Sequence, residues 1–156
     1  MSETLELHLA RELDVDYDAA AGALRAGPAR WLPGFEQEGE RITTRLALAR
    51  AGRRVGRRAE VRVGSVQPFA YGVTARLEWQ DARRPRLYPR LEGHLRLERG
   101  GEDGRCRFRF DARYTPPAGP LGESVDRAVM HRVADATVRD FFSGVAQRLE
   151  KSAASA

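Results

Sequence analysis

From Glu40 to Tyr114 the apolar residues of this chain recur at every second position, and from Val125 to Leu149 they recur at every third or fourth. The first period belongs to a half-buried strand and the second to one face of a helix. Each pattern leaves a single apolar surface, so a chain written this way lays one long helix against one side of an antiparallel sheet.

The strand period can be followed residue by residue. Ile42, Thr44, Leu46 and Leu48 point one way, and after a turn at Gly52 so do Val55, Ala59, Val61 and Val63. Tyr71, Val73, Ala75, Leu77 and Trp79 follow, then Leu87, Leu91, Leu95 and Leu97, then Cys106, Phe108, Phe110, Ala112 and Tyr114. The connections at Gly52, at Gln67–Pro68, from Asp81 to Pro85 and from Gly100 to Gly104 are short and rich in turn residues, which makes the neighbours antiparallel hairpins. In the last hairpin, a register that opposes Glu98 to Arg107, His94 to Asp111 and Glu92 to Arg113 leaves only Arg96 and Arg109 as like charges. A register two residues shorter opposes Glu92 to Asp111 and stacks Arg96 on Arg107 and Arg90 on Arg113, so the first is expected.

Upstream, Leu5, Leu7, Leu9 and Leu13 alternate with Glu6, His8 and Glu12, a strand over Thr4 to Leu13. Asp16 is placed to cap a short helix that starts near Tyr17 and is stopped by Gly27 and Pro28. A second helical turn or a loop then carries Trp31 and Leu32. Downstream, Pro120 suits the first position of the long helix. Its apolar stripe is Val125, Val129, Val133, Thr137 or Val138, Phe141, Val145 and Leu149, opposite Asp126, Arg132, Asp135, Arg139 and Glu150. Some thirty residues at about 1.5 Å each make it about 45 Å long, enough to cross the whole sheet. The expected organisation is one α+β domain over residues 1–151, with 152–156 a disordered tail.

Composition narrows the function classes. The start of the chain lacks a signal-peptide pattern, and no stretch approaches the roughly 20 apolar residues of a bilayer crossing, so a cytoplasmic protein is expected. Cys106 is the only cysteine, which rules out an intramolecular disulfide. It is read as a buried small hydrophobe, the alternative being a reactive thiol. Basic residues number 27 against 22 acidic ones, and a basic chain can bind nucleic acid or an anionic membrane. Lys151 is the only lysine, however, and such uniform use of arginine matches codon bias better than a selected phosphate patch.

Two passages resemble a known family. AGPARWLPGF, residues 26–35, is similar to the "DP-x-x-W-x-P-G" passage of START-like (SRPBCC) proteins. YTPPAGPLGESVDRAVMHRVADATVRDFFSGVAQRLE, residues 114–150, is similar to the C-terminal passage of the same superfamily, where a Pro/Gly corner leads into a long helix. With the order of elements, the resemblance spans nearly the whole chain and implies the helix-grip fold: a curved antiparallel sheet of six or seven strands wrapped around the C-terminal helix. Six strands are counted here. The superfamily includes polyketide cyclases and dehydratases, lipid-transfer domains and pollen-allergen-like proteins. The resemblance implies a cavity between sheet and helix for an apolar or amphipathic ligand, lipid-like or polyketide-like, which is also the default site on physical grounds.

The polar and aromatic residues whose parity points into that cavity are Thr44, Arg57, Tyr71, Trp79 and Tyr114, and the helix adds Met130, Thr137 and Phe141. Tyr and Trp join a large apolar body to a hydrogen-bond donor, which suits a ligand with rings and a few oxygens; the alternative is that they fill the core. Arg57 either points inward, where it needs an acceptor, or is turned out by a bulge at Gly56. His131 and Asp135 share a helix face as an acid/base pair or a surface hydrogen bond. No HxH or HExxH spacing, nucleophile motif, P-loop or dinucleotide-binding glycine pattern occurs, so no metal and no cofactor are expected. The leading expectation is a small-molecule binding protein, monomeric or homodimeric. A polyketide cyclase/aromatase or dehydratase on the same scaffold is the alternative, and electrostatic binding to nucleic acid or anionic membrane is a second one.

Overall fold

The computed structural model describes residues 4–50, 53–81, 90–100, 104–115 and 127–154, with side chains described outside 48–55, 127–130 and 154. In chain order the elements are β1 (Leu5–Asp16), α1 (Tyr17–Ala26), α2 (Pro28–Trp31), β2 (Glu36–Glu38), β3 (Arg41–Arg50), β4 (Arg53–Val63), β5 (Gln67–Phe69), β6 (Gly72–Asp81), β7 (Arg90–Arg99), β8 (Arg105–Thr115) and α3 (Arg127–Ala154). The strands form one eight-stranded sheet in the order β1-β8-β7-β6-β4-β3-β2, with β5 pairing β6 off that path. All the pairings are antiparallel. The two strands beyond the sequence count, β2 and β5, have three residues each, too few to show an alternation.

The last hairpin takes the charge-matched register, with Glu98 opposite Arg107, His94 opposite Asp111 and Glu92 opposite Arg113. The one like pair is resolved diagonally: Arg96 reaches Asp111 at 3.7 Å and Arg109 reaches Glu98 at 3.4 Å. Its turn is closed by the Gly100 N–H donating to the Arg105 carbonyl at 2.7 Å, with Gly104 at φ +69°. Next to it lies β1, a pairing across a sequence distance that local patterns do not encode. Asp16 stands at the N-cap of α1 but makes no side-chain cap bond. The Tyr17 N–H instead donates to the Gly104 carbonyl at 3.3 Å, so the neighbouring turn supplies the acceptor at this corner.

Helix α3 packs against β1 and β3, near opposite ends of the sheet order, and against both short helices, so the sheet wraps it in a helix-grip arrangement. Ala134, Val138, Phe141, Phe142, Val145, Ala146 and Leu149 form its buried face. The helix continues to Ala154, with Ser152 and Ala153 half-buried. Residues 51–52, 82–89, 116–126 and 155–156 lie outside the described residues, and with them the Gly52 turn, Leu87 and the Pro120 start.

The corner after α2 fixes the helix against β3. Trp31 and Leu32 are fully buried, and the Pro33 carbonyl accepts from both the Thr44 hydroxyl at 2.6 Å and the Arg45 N–H at 3.1 Å. Gly144 of α3 lies against the Pro33 ring, so closely that a Cβ there would stand 2.8 Å from Pro33 Cγ. Ala normally stabilises a helix interior relative to Gly by about 1 kcal/mol. With Pro33 held by two hydrogen bonds, the overpacking cost of about 1–3 kcal/mol wins at this position. Gly144→Ala is therefore expected to lower the urea midpoint, by the equivalent of about 1 kcal/mol; a raised midpoint would contradict this packing.

Candidate functional site

The inner face of the sheet ends in two adjacent rows of different character. Val61, Trp79, Leu91 and Tyr114 are paired in sequence across β4, β6, β7 and β8 and form an apolar and aromatic row. One step nearer the strand ends, Thr44 pairs with Ala59 and Ala59 with Asp81, while Arg57 pairs with Leu46. The β3–β4 ladder runs through Gly56 without a shift, so no bulge turns Arg57 outward. Its charge is met by an acid: Arg57 Nε donates to Asp81 Oδ2 at 2.9 Å, with the Asp81 side chain only 6% exposed. Arg57 and Asp81 also line an open cleft of about 980 Å³, shared with Glu36, Arg41, Thr43 and Arg58.

Farther from these strand ends, the protein's own rings fill the interior. Trp79 meets Phe141 of α3 edge to face, ring centroids 4.7 Å apart, and Phe141 meets Phe110 at 5.8 Å. Phe108 stacks on Phe142 at 4.6 Å. Gly93 allows this, because a Cβ there would come within 2.7 Å of the Phe110 ring.

The residues singled out from the sequence therefore divide. Arg57 lines the cleft, while Trp79, Tyr114 and Phe141 are buried in the core and are not among the residues that line it. Thr44 points inward and is fully buried, but its hydroxyl is engaged by Pro33 and holds the α2–β3 corner. Thr137 donates to the Val133 carbonyl at 2.7 Å, a bond within the helix. Tyr71 does not point inward: it is 73% exposed in the turn before β6, because the period-two count was carried through a turn that ends at Gly72. The side chain of Met130 lies outside the described residues. Asp135 bonds Arg139 at 2.8 Å and His131 is exposed, so the structure does not assemble an acid/base pair from His131 and Asp135. Asp81 was missed, having been assigned to a turn. It falls on the same parity as Ala75, Leu77 and Trp79, next to an inward arginine that needed an acceptor.

On the opposite, solvent-facing side, arginines alternate with acids. Arg113 approaches Glu6 at 3.4 Å and Arg105 approaches Asp14 at 3.9 Å, pairs of the exposed kind that contribute little to stability. A smaller hollow of about 110 Å³ lies among Glu60, Arg62, Glu78, Trp79, Gln80 and Arg90. No group of three potential metal ligands occurs among the described residues. No helix among them is long and apolar enough to cross a membrane. Cys106 is fully buried, and burial first, then the charges of Asp16 and Glu98, pushes its thiol up to about 12. Burial also raises the Tyr114 phenol above its ordinary range.

Comparison with solved structures places this architecture among known ones. A conserved protein from Geobacillus kaustophilus superposes with a TM-score of 0.61 at 17% identity, covering 95% of this chain and 97% of the other. An aromatase/cyclase from a Streptomyces species gives 0.59 at 12% identity, over 97% and 94% of the two chains. Norcoclaurine synthase from Thalictrum flavum gives 0.56 at 10% identity, over 96% and 86%. At such identities the likeness establishes the helix-grip fold. By sequence, neither family models nor curated proteins match the chain.

The raised thiol has a thermodynamic consequence. Unfolded Cys106 ionises near 9.0 and folded Cys106 at about 12, so the unfolded state loses its proton first. Its contribution is complete below pH 9.0 and is lost as pH rises towards about 12. Urea midpoints measured across this range should fall, and Cys106→Ala should flatten the fall while leaving the part due to Tyr114. An unchanged alkaline slope in Cys106→Ala would contradict the assignment.

Proposed function

We propose that this helix-grip chain is a small-molecule binding protein that takes an apolar-bodied ligand with a polar end, lipid-like or polyketide-like, into the cleft beside Arg57 and Asp81. The observation that carries this is an open cleft of about 980 Å³ whose polar wall holds an inward ion pair, on strands whose next inward row is apolar and aromatic. A concave site with placed polar groups is the default place for a ligand. The alternating charges of the outer face support a solvated, balanced surface there in preference to a nucleic-acid or membrane-binding one.

An enzyme on the same site, of the cyclase or dehydratase kind, is favoured by one specific feature. Two ionisable side chains, Arg57 and Asp81, stand on the inner face where they can orient a carbonyl or an enol. One of the similar folds is an aromatase/cyclase and another a norcoclaurine synthase, so the scaffold is compatible with catalysis, although fold alone does not specify it.

A native mass spectrum of the gently purified protein, followed by extraction and identification of any bound compound, tests the binding function. The expected result is a stoichiometric small molecule whose occupancy drops about tenfold in Arg57→Met, a loss of about 1.4 kcal/mol. A ligand-free mass, together with no change in tryptophan fluorescence on adding ring compounds or fatty acids, would overturn it.

A further inference from the structure

Charge is not spread evenly along this chain. Residues 41–59 carry seven arginines and no acid. With those seven set aside, 20 of the 27 basic residues remain against all 22 acidic ones, so this one segment holds more than the whole formal charge of +5. Codon bias accounts for arginine in place of lysine, but not for its separation from Asp and Glu.

The segment is the β3–β4 hairpin. Its strands pair with each other from Ile42 opposite Val61 out to Arg50 opposite Arg53. The pairing of β2 with β3 stops at Thr43, and that of β4 with β6 starts only at Ala59. Beyond those points, among the described residues, the two strands pair with each other alone. They form a ribbon about 17 Å long from the Arg45–Arg58 pair to the Arg50–Arg53 pair.

The arginines of the hairpin divide by position. At its root Arg41 approaches Glu60 at 3.5 Å, Arg57 bonds Asp81, and Arg58 is taken by Glu36, Thr43 and the Gly34 carbonyl. Farther out, neither strand supplies an acid. Arg45 is exposed and lies over Gly56, two pairs nearer the tip, where a Cβ would stand 3.8 Å from the Arg45 Cδ. The register then sets Arg50 directly opposite Arg53, with Arg54 in the next pair. Like charges directly opposite each other destabilise a ladder, so anions from outside would complete a ribbon built this way.

Among polyanions the ribbon favours duplex DNA. The B-form major groove, about 12 Å wide, admits a two-stranded ribbon and has phosphates along both sides. No aromatic residue occurs between Phe35 and Phe69. That leaves no platform for stacking unpaired bases and no ring to anchor the ribbon at a membrane interface. We infer that the β3–β4 hairpin is a DNA-binding arm, in which Arg45, Arg50, Arg53 and Arg54 contact the phosphates of a double helix. This is a second function, independent of the small molecule proposed for the cleft at the hairpin's root.

Fluorescence anisotropy of a labelled DNA duplex, titrated with the full chain over a range of salt concentrations, tests this. Four phosphate contacts give a slope of about −3.6 in log K against log salt, or about 150-fold weaker binding on going from about 50 to about 200 mM. Arg50→Gln with Arg53→Gln is expected to bring the slope to about −1.8. Arg105→Gln with Arg113→Gln, which removes the same charge from the outer face, should leave it unchanged. Equal losses in the two double variants would overturn the arm, as would no binding at the lowest salt. Tighter binding of the single strand, or binding to phosphatidylglycerol vesicles without binding to the duplex, would also overturn it. If the Arg50/Arg53 variant does not fold, Arg53→Gln alone should give a slope of about −2.7. The cleft ligand is read separately by mass spectrometry, so its presence or absence does not bear on these outcomes.

Discussion

Phe141 joins the two halves of this protein. Its ring touches Trp79 on β6 and Phe110 on β8, so one helical side chain bridges two strands that are not neighbours in the sheet. A single helix can bury its stripe only if the sheet bends around it. The bend requires space where the rings meet, and Gly93 provides it by leaving room for Phe110. Aromatic pairs of this geometry contribute about 0.5–1.5 kcal/mol beyond their buried area, and three of them converge on two adjacent helical residues, Phe141 and Phe142. The hold of the sheet on the helix therefore rests on these ring contacts.

The ion pair at the end of β6 follows from that arrangement. Because β6 keeps its alternation through Asp81, the carboxylate arrives on the inner face, opposite Ala59 and diagonal to Arg57. A buried pair of this kind is seldom the most stable filling for a core position, and well-packed apolar residues often do as well or better. On the proposed function, its placement in the wall of the cleft gives it a use that stability does not, which is to orient a polar group of the ligand.

Much of this was legible in the sequence, for reasons that particular residues show. The register of the last hairpin could be read because its outward charges discriminate between alternatives, and the observed pairing of His94 with Asp111 is the one they favour. The buried stripe of α3 could be read because its period is sustained over many turns. What could not be read depends on contacts distant in sequence. The partner of β1 is β8, which nothing local encodes, and Thr44 is occupied by Pro33 across the α2–β3 corner. Tyr71 was misplaced because parity is meaningful only within a continuous strand, and a turn of two residues resets it. Asp81 was missed for the opposite reason: a turn-forming residue type concealed the continuation of a strand.

The central claim is that the cleft beside Arg57 and Asp81 takes a small molecule. Intermolecular nuclear Overhauser effects between the compound extracted from the protein and the isotopically labelled chain measure this most directly. The account predicts contacts from the compound to the Arg57 methylenes and the Asp81 methylene. Contacts confined to Arg62, Glu78 and Arg90, with none to Arg57 or Asp81, would contradict it.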